Sequence, residues 1–204
     1  MQPGSFAVGG YDHIVNLWSL PEERDAPPVR SAPLAARHTS AIHSLLPVRD
    51  TSHKLLIGGA DCALSVYDLS SERTVNTLKL SNPIYHLHPV ASPHCVLVEL
   101  AHREFQFEIR DRRLVPQQPA VRFGYPNTKV HGRYTKGAVD SHIFACGGTE
   151  DGCVRLWDMR KSSNILQTIP CLPGKKVAQV HISSSRIVAC SEDYHLAILN
   201  SESA

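Results

Sequence analysis

The stretch "GGTEDGCVRLWDMRK", Gly147–Lys161, is the place to start. Two glycines and an acidic turn separate two short apolar runs, "FACGG" and "CVRLWD". Val154 and Leu156 lie two residues apart, so an extended chain puts them on one face. Trp157 and Asp158 close the second run, and Arg160 stands two places further on. The local reading is strand, tight turn, strand.

The unit is not alone. Four other stretches align on Trp157: "GGYDHIVNLWS", "GGADCALSVYD", "HREFQFEIRD" and "CSEDYHLAILN". Their anchors are Trp18, Tyr67, Arg110 and Leu199, and successive anchors are 42 to 49 residues apart. A four-stranded propeller blade repeats at ~40–45 residues, so the spacing fits blades with loop insertions. The columns carry more weight than the spacing. Three residues before the anchor stand Val15, Leu64, Phe107, Val154 and Leu196; one before it stand Leu17, Val66, Ile109, Leu156 and Ile198. All ten are apolar and share one strand face. Six before the anchor stand Asp12, Asp61, Glu104, Asp151 and Asp193, where a carboxylate in a tight turn accepts a backbone N–H.

An apolar run precedes each turn: "FAVGG", "LLIGG", "VLVEL", "FACGG" and "IVACS". Further strand-like runs follow the anchors ("VRSAPLAA", "TVNTLKL", "PAVRF", "NILQTI") or precede the next hairpin ("AIHSLLPV", "PIYHLHPV", "KVAQVHIS"). No segment has a helical apolar period, and Pro and Gly punctuate throughout.

These residues resemble the WD-repeat family. "EDGCVRLWD" is a close match to its signature, and "GGYDHIVNLWS" and "GGADCALSVYD" are good ones. "HTSAIHSL" from His38 is similar to the family's start of repeat, with Arg37 in place of its usual Gly. The third and fifth units depart from the pattern, with Arg110 and Leu199-Asn200 at the anchor. The resemblance implies an all-β WD-repeat β-propeller of about five visible blades, an open or partial ring. It is read as one domain over 1–204, with units at approximately 5–37, 38–80, 81–123, 124–172 and 173–204. Trp18, Tyr67, Trp157, Asp12, Asp61, Asp151 and Asp193 are assigned structural roles. The family's buried His–Asp–aromatic hydrogen-bond arrangement carries over in one unit only, as His38, Asp61 and Tyr67. The first unit starts at its second strand and the last stops after its third, so the expectation is a propeller lacking about two N-terminal blades of a typical seven. A closed five-bladed ring is the competing architecture.

The totals narrow function by exclusion. The chain has 204 residues, 42% hydrophobic and 20% charged, which suffices for a sizeable core. The net charge of +2 gives no global attraction to nucleic acid or membrane. No run approaches the ~18 apolar residues of a membrane span, and Met-Gln-Pro-Gly-Ser lacks the regions of a secretory signal. The expected location is therefore intracellular. The six cysteines form no CxxC pair and read as small apolar strand residues. No nucleophile elbow, HExxH or phosphate-binding loop occurs, so no catalytic residue and no cofactor are assigned. His86 and His88 in "PIYHLHPV" share a strand face, but no carboxylate or Cys partner is evident nearby, and no metal is assigned. The basic run "IRDRRL", 109–114, reads as a solvated strand exit with local Arg–Asp pairing, which makes nucleic acid an unfavoured partner. The polar segment 124–142, with Lys129, Arg133 and Lys136, replaces a normal inner strand and reads equally as a binding loop or a plain insertion.

One constellation points to a partner. In some WD-repeat proteins, Asp-x-Arg at the end of the signature strand marks docking to the propeller-shaped adaptor of cullin–RING ubiquitin ligases. Asp158-Met159-Arg160 and Asp111-Arg112-Arg113 occupy those columns in consecutive units; the remaining units lack the Arg. The resemblance thus implies a protein-interaction scaffold, with Asp111, Arg113, Asp158 and Arg160 as adaptor contacts. The competing reading of the same residues is a surface ion pair. An RNA-associated scaffold is a second functional class compatible with the fold, and a propeller enzyme a weaker third.

Overall fold

The structure is a computed structural model that describes residues 5–20, 30–48, 52–113, 119, 121–183 and 185–200. Among these residues there are eighteen strands and no helix, hence no helix long and apolar enough to cross a membrane. The strands form five antiparallel sheets in chain order. The first contains β1 (Ser5–Gly9), β2 (Val15–Ser19) and β3 (Arg30–Pro33). The second contains β4 (Ile42–Pro47), β5 (Lys54–Gly59), β6 (Ala63–Asp68) and β7 (Arg73–Lys79). The third contains β8 (Ile84–Pro89), β9 (Cys95–Leu100), β10 (Phe107–Asp111) and β11 (Val121–Phe123). The fourth contains β12 (Ala138–Asp140), β13 (Ile143–Gly147), β14 (Cys153–Asp158) and β15 (Gln167–Pro170). The last contains β16 (Val177–Ser183), β17 (Arg186–Ser191) and β18 (Leu196–Asn200). Each sheet is a meander, which short antiparallel connections allow. The chain divides into two compact units, and the main break falls inside β8, between Leu87 and His88.

In the first unit, Val15, Ile42, Leu55, Ile57 and Tyr67 form a buried cluster. In the second, one cluster joins Leu97, Phe107, Ile109, Phe123, Tyr125, Phe144, Cys146 and Trp157, and another joins Ala145, Val154, Leu156, Leu172, Val177, Val180 and Ala189. The apolar columns thus face the next sheet: Phe107 and Ile109 meet Phe144 and Trp157, and Val154 and Leu156 meet Val177 and Val180. The last sheet shows the converse. Leu196 and Ile198 are 68% and 64% exposed, because no described sheet follows β18.

The close packing has a backbone signature. Gly9, Gly58 and Gly147 pair with Val15, Leu64 and Val154 across their hairpins. A Cβ on any of them would come within 2.8, 2.7 and 2.5 Å of Ile42, Ile84 and Val177, the first-strand residues of the next sheet. In the third hairpin the same register position, opposite Phe107, is held by Glu99.

The segment 124–142 is not a free polar loop. It carries β12, the first strand of the fourth sheet, so the inner strand is present after all. Tyr125 exchanges bonds with the buried Gln106: its N–H donates to Oε1 (2.9 Å) and its carbonyl accepts from Nε2 (2.7 Å). His131 and Thr135 are fully buried. Alternation was too short and too interrupted by Pro, Gly and polar residues to reveal this strand.

Candidate protein-binding rim

The two Asp-x-Arg motifs end equivalent strands, β10 and β14, of consecutive sheets in the second unit. Their geometry is the same. The Arg113 N–H donates to Asp111 Oδ1 (2.9 Å), and its guanidinium reaches back with Nε to Oδ1 (3.1 Å) and Nη2 to Oδ2 (2.7 Å). Arg160 repeats this on Asp158: N–H to Oδ1 at 3.0 Å, Nε to Oδ1 at 2.9 Å and Nη2 to Oδ2 at 2.7 Å. The carboxylate is the seated partner and the cation the displayed one. Asp111 and Asp158 side chains are 10% and 21% exposed, Arg113 and Arg160 63% and 67%. Hydrogen bonds from its own arginine, side chain first and then backbone, hold each Asp carboxyl down at about 2.

The strand end is built by the backbone rather than by the arginine. The residue after each Asp donates its N–H to a histidine carbonyl: Leu69 to His53 (3.0 Å), Arg112 to His94 (2.9 Å) and Met159 to His142 (2.8 Å). The second sheet makes the same Asp turn, with the Ser70 N–H on Asp68 Oδ1 at 2.8 Å. Ser70 there takes the place of the arginine. The turn therefore forms without the cation, and the arginine is an addition to it.

The hairpin acids sort into types. Asp12, Asp61 and Asp151 accept through Oδ1 the N–H two residues on, from Ile14 (3.2 Å), Ala63 (3.1 Å) and Cys153 (3.1 Å). The residue after each is left-handed, His13, Cys62 and Gly152, as is Tyr194 after Asp193. A Cβ on Gly152 would lie 1.7 Å from the Leu172 carbonyl oxygen. Asp193 differs: it is bound by Lys175 Nζ (2.5 Å) and by the Ser191 hydroxyl, and Ser191 Oγ accepts the turn N–H, from His195 (3.1 Å). Glu104 does not fill the turn role expected of it. His102 Nδ1 accepts the N–H groups of Glu104 (3.0 Å) and Phe105 (2.9 Å) instead, since a Glu oxygen sits one methylene too far out for this tight turn.

His38 Nδ1 lies 3.1 Å from Asp61 Oδ2, which also accepts the Thr39 N–H (2.9 Å). The Tyr67 hydroxyl accepts the Ala35 N–H at 3.4 Å, and among the described residues it makes no bond to His38. Trp18 stacks on Phe6, with ring centroids 6.1 Å apart. Trp157 is fully buried against Phe107, Phe123 and Phe144 at 5.2, 5.7 and 5.8 Å.

The sequence of residues 136–158 matches the family model described as WD domain, G-beta repeat. This span covers β12, β13 and β14. The chain also superposes on solved structures. Against the β-propeller domain of Myceliophteria thermophila Cps50 (Swd1) the TM-score is 0.75 at 13% identity, covering 98% of this chain and 67% of that one. Against the computationally designed Ika8 protein it is 0.73 at 15% identity, covering 98% of this chain and 56% of that one. The fold is that of a β-propeller, and one stretch of it, 136–158, matches a WD40 repeat. No curated protein matches it in sequence.

Among the five described sheets the third departs from the repeat most. Arg110, at the aromatic anchor position, is not a solvated residue of a basic patch. It is buried and donates through Nε to Glu108 Oε2 (2.8 Å), while Arg122 Nε reaches Glu108 Oε1 (2.6 Å). Arg112 donates to the Pro93 carbonyl, and Arg113 is held by Asp111. The basic run at 109–114 is thus divided among separate partners rather than gathered into one face. The histidine strand likewise has the partner that sequence proximity did not disclose. His88 Nε2 lies 2.5 Å from Oε1 of the fully buried Glu99. His131 Nε2 lies 2.8 Å from Oε2, and the Gly137 N–H donates to Oε1 at 2.9 Å. Glu99 was hidden inside "VLVEL", which reads as an apolar run; only its place in the glycine column marked it as out of pattern.

Proposed function

We propose that this WD40 chain is a non-catalytic protein-interaction module that docks, through Arg113 and Arg160, onto the propeller-shaped adaptor of a cullin–RING ubiquitin ligase. The observation that carries the reading is the repetition of one pre-set cation on consecutive sheets. Each guanidinium is held by its own Asp, whose carboxylate also accepts that arginine's backbone N–H, and about two thirds of the arginine side chain faces water. A planar fork held in place loses little rotamer freedom when its outer edge meets a carbonyl or carboxylate. Exposed pairs of this kind contribute little to folding, and the Asp68–Ser70 turn does without the arginine. Fold likeness alone does not name a partner, so the residues carry the proposal. A basic RNA-binding face is not favoured, because Arg110 is buried on Glu108 and Arg112 is drawn to the Pro93 carbonyl, so the run displays Arg113 rather than a row of cations.

The test is co-purification of the full chain with the adaptor. The wild-type chain recovers the adaptor, and Arg113→Ala with Arg160→Ala reduces recovery by about tenfold or more, the order expected when central arginine anchors are removed. Equal recovery by both forms removes the residue assignment. No recovery by the wild type removes the adaptor.

A further inference from the structure

Glu99 stands where three other hairpins carry glycine, and it brings a carboxylate into the protein interior. Its register partner is Phe107, as Val15, Leu64 and Val154 are the partners of Gly9, Gly58 and Gly147. The hydrogen bonds it accepts come from two imidazoles and the Gly137 N–H; among the described residues no lysine or arginine is paired with it. A buried carboxylate without a fixed cation is costly.

A thiol that would become a second anionic donor on losing its proton is close. The Cys146 sulfur, a Glu99 oxygen and a His131 ring nitrogen all lie within 4.8 Å of one another, and all three residues are buried. His88 Nε2 meets Glu99 Oε1, the oxygen opposite the one that His131 meets, and lies outside that group of three, so it completes the set only by shifting toward the ion. The four side chains come from β8, β9, β13 and the segment leading into β12. They are walled by aromatic rings, with Phe107 edge-on to His131 at 5.6 Å and Phe144 beside His88 at 5.9 Å. His131 faces Glu99 with Nε2, while its Nδ1 is buried and has no hydrogen-bond partner among the described residues.

We propose that His88, Glu99, His131 and Cys146 form a buried structural site for one divalent transition-metal ion of the zinc type. Thiolate sulfur, imidazole nitrogen and carboxylate oxygen together are the donor set of a borderline-soft ion rather than of calcium or magnesium. The charges close: a dication with one thiolate, one carboxylate and two neutral imidazoles is neutral. Binding replaces the proton on the Cys146 sulfur and any proton between the imidazoles and Glu99, and these leave to solvent. Tetrahedral coordination with N and O at ~2.0–2.1 Å places donor atoms about 3.3 Å apart, so the 2.8 Å contact of His131 to Glu99 opens by roughly 0.5 Å and the 2.5 Å contact of His88 by roughly 0.8 Å. The ion fastens the 124–137 segment, through His131, to β9 and β13 beneath it. The site is independent of the docking reading.

The experiment uses the full chain, expressed with added zinc and freed of loose metal. Elemental analysis is expected to give about one zinc per chain. Cobalt-exchanged protein is expected to show the intense visible bands of a four-coordinate site and a thiolate-to-cobalt charge-transfer band. Cys146→Ser, shown to be folded by circular dichroism, loses that band, whereas Cys153→Ser keeps it. If Cys146→Ser does not fold, the wild-type zinc content and cobalt spectrum decide alone. A folded wild type with no bound zinc and no thiolate band overturns the proposal, and so does a band that survives in Cys146→Ser.

Discussion

The third and fourth sheets have the same strand order and nearly the same register, yet they are held together differently. In the fourth, the hairpin position facing the next sheet is Gly147, the anchor is Trp157, and the turn is closed by Asp151. In the third, those positions are Glu99, Arg110 and Glu104, and other groups take over the work. Glu99 is met by His88 and His131, Arg110 by Glu108, and the turn by His102. Antiparallel pairing and a facing apolar column therefore fix the blade. The signature letters are one way of filling the remaining positions, and polar groups fill them too when each finds a partner.

The comparison can be broken most forcefully at the anchors. Trp157→Ala removes the largest fully buried side chain from a packed aromatic cluster and is expected to cost about 3–5 kcal/mol in chemical denaturation. Glu108→Ala in the third sheet is expected to cost a similar ~3–5 kcal/mol, because Arg110 is left as a buried charge without its carboxylate. If the loss in Glu108→Ala is under ~1 kcal/mol, the third sheet does not rest on that pair. A smaller effect is expected at the turns. His102→Ala leaves two N–H groups without their acceptor and is expected to cost about 1 kcal/mol, comparable to Asp151→Ala in the fourth hairpin.

The smallest effect on stability is expected at the rim. Arg160→Ala should leave the thermal midpoint unchanged but let the Asp158 carboxyl rise from about 2 toward its ordinary ~3.9, followed by carboxyl-carbon NMR. The sign follows from linkage. A carboxyl lowered in the folded state stabilises above the unfolded value, and that contribution is lost as pH falls toward about 2. Solvent screening makes it slight for so exposed a pair.

Much of this was legible in the sequence, for definite reasons. The five hairpins were readable because each apolar column repeats at strand period, and Val154, Leu156 and Phe107 are buried as that period requires. Both Asp-x-Arg motifs were readable because they are local: donor and acceptor lie two residues apart. What is not local was missed. His88, Glu99, His131 and Cys146 come together from four segments. Arg110 was missed although its partner Glu108 is only two residues away, because what the sequence did not show is that this pair is buried. The inner strand β12 is three residues long, too short for any period to register.

The central functional claim is that the two clamped arginines are contacts and not ornaments of the turn. It is met most directly by titrating the purified adaptor with the wild-type chain, Arg160→Ala, and the Arg113→Ala plus Arg160→Ala double variant, with thermal midpoints measured alongside. The account predicts saturable wild-type binding, a loss of about tenfold or more in the double variant with an intermediate single variant, and equal thermal midpoints. Equal affinities across all three chains would contradict it.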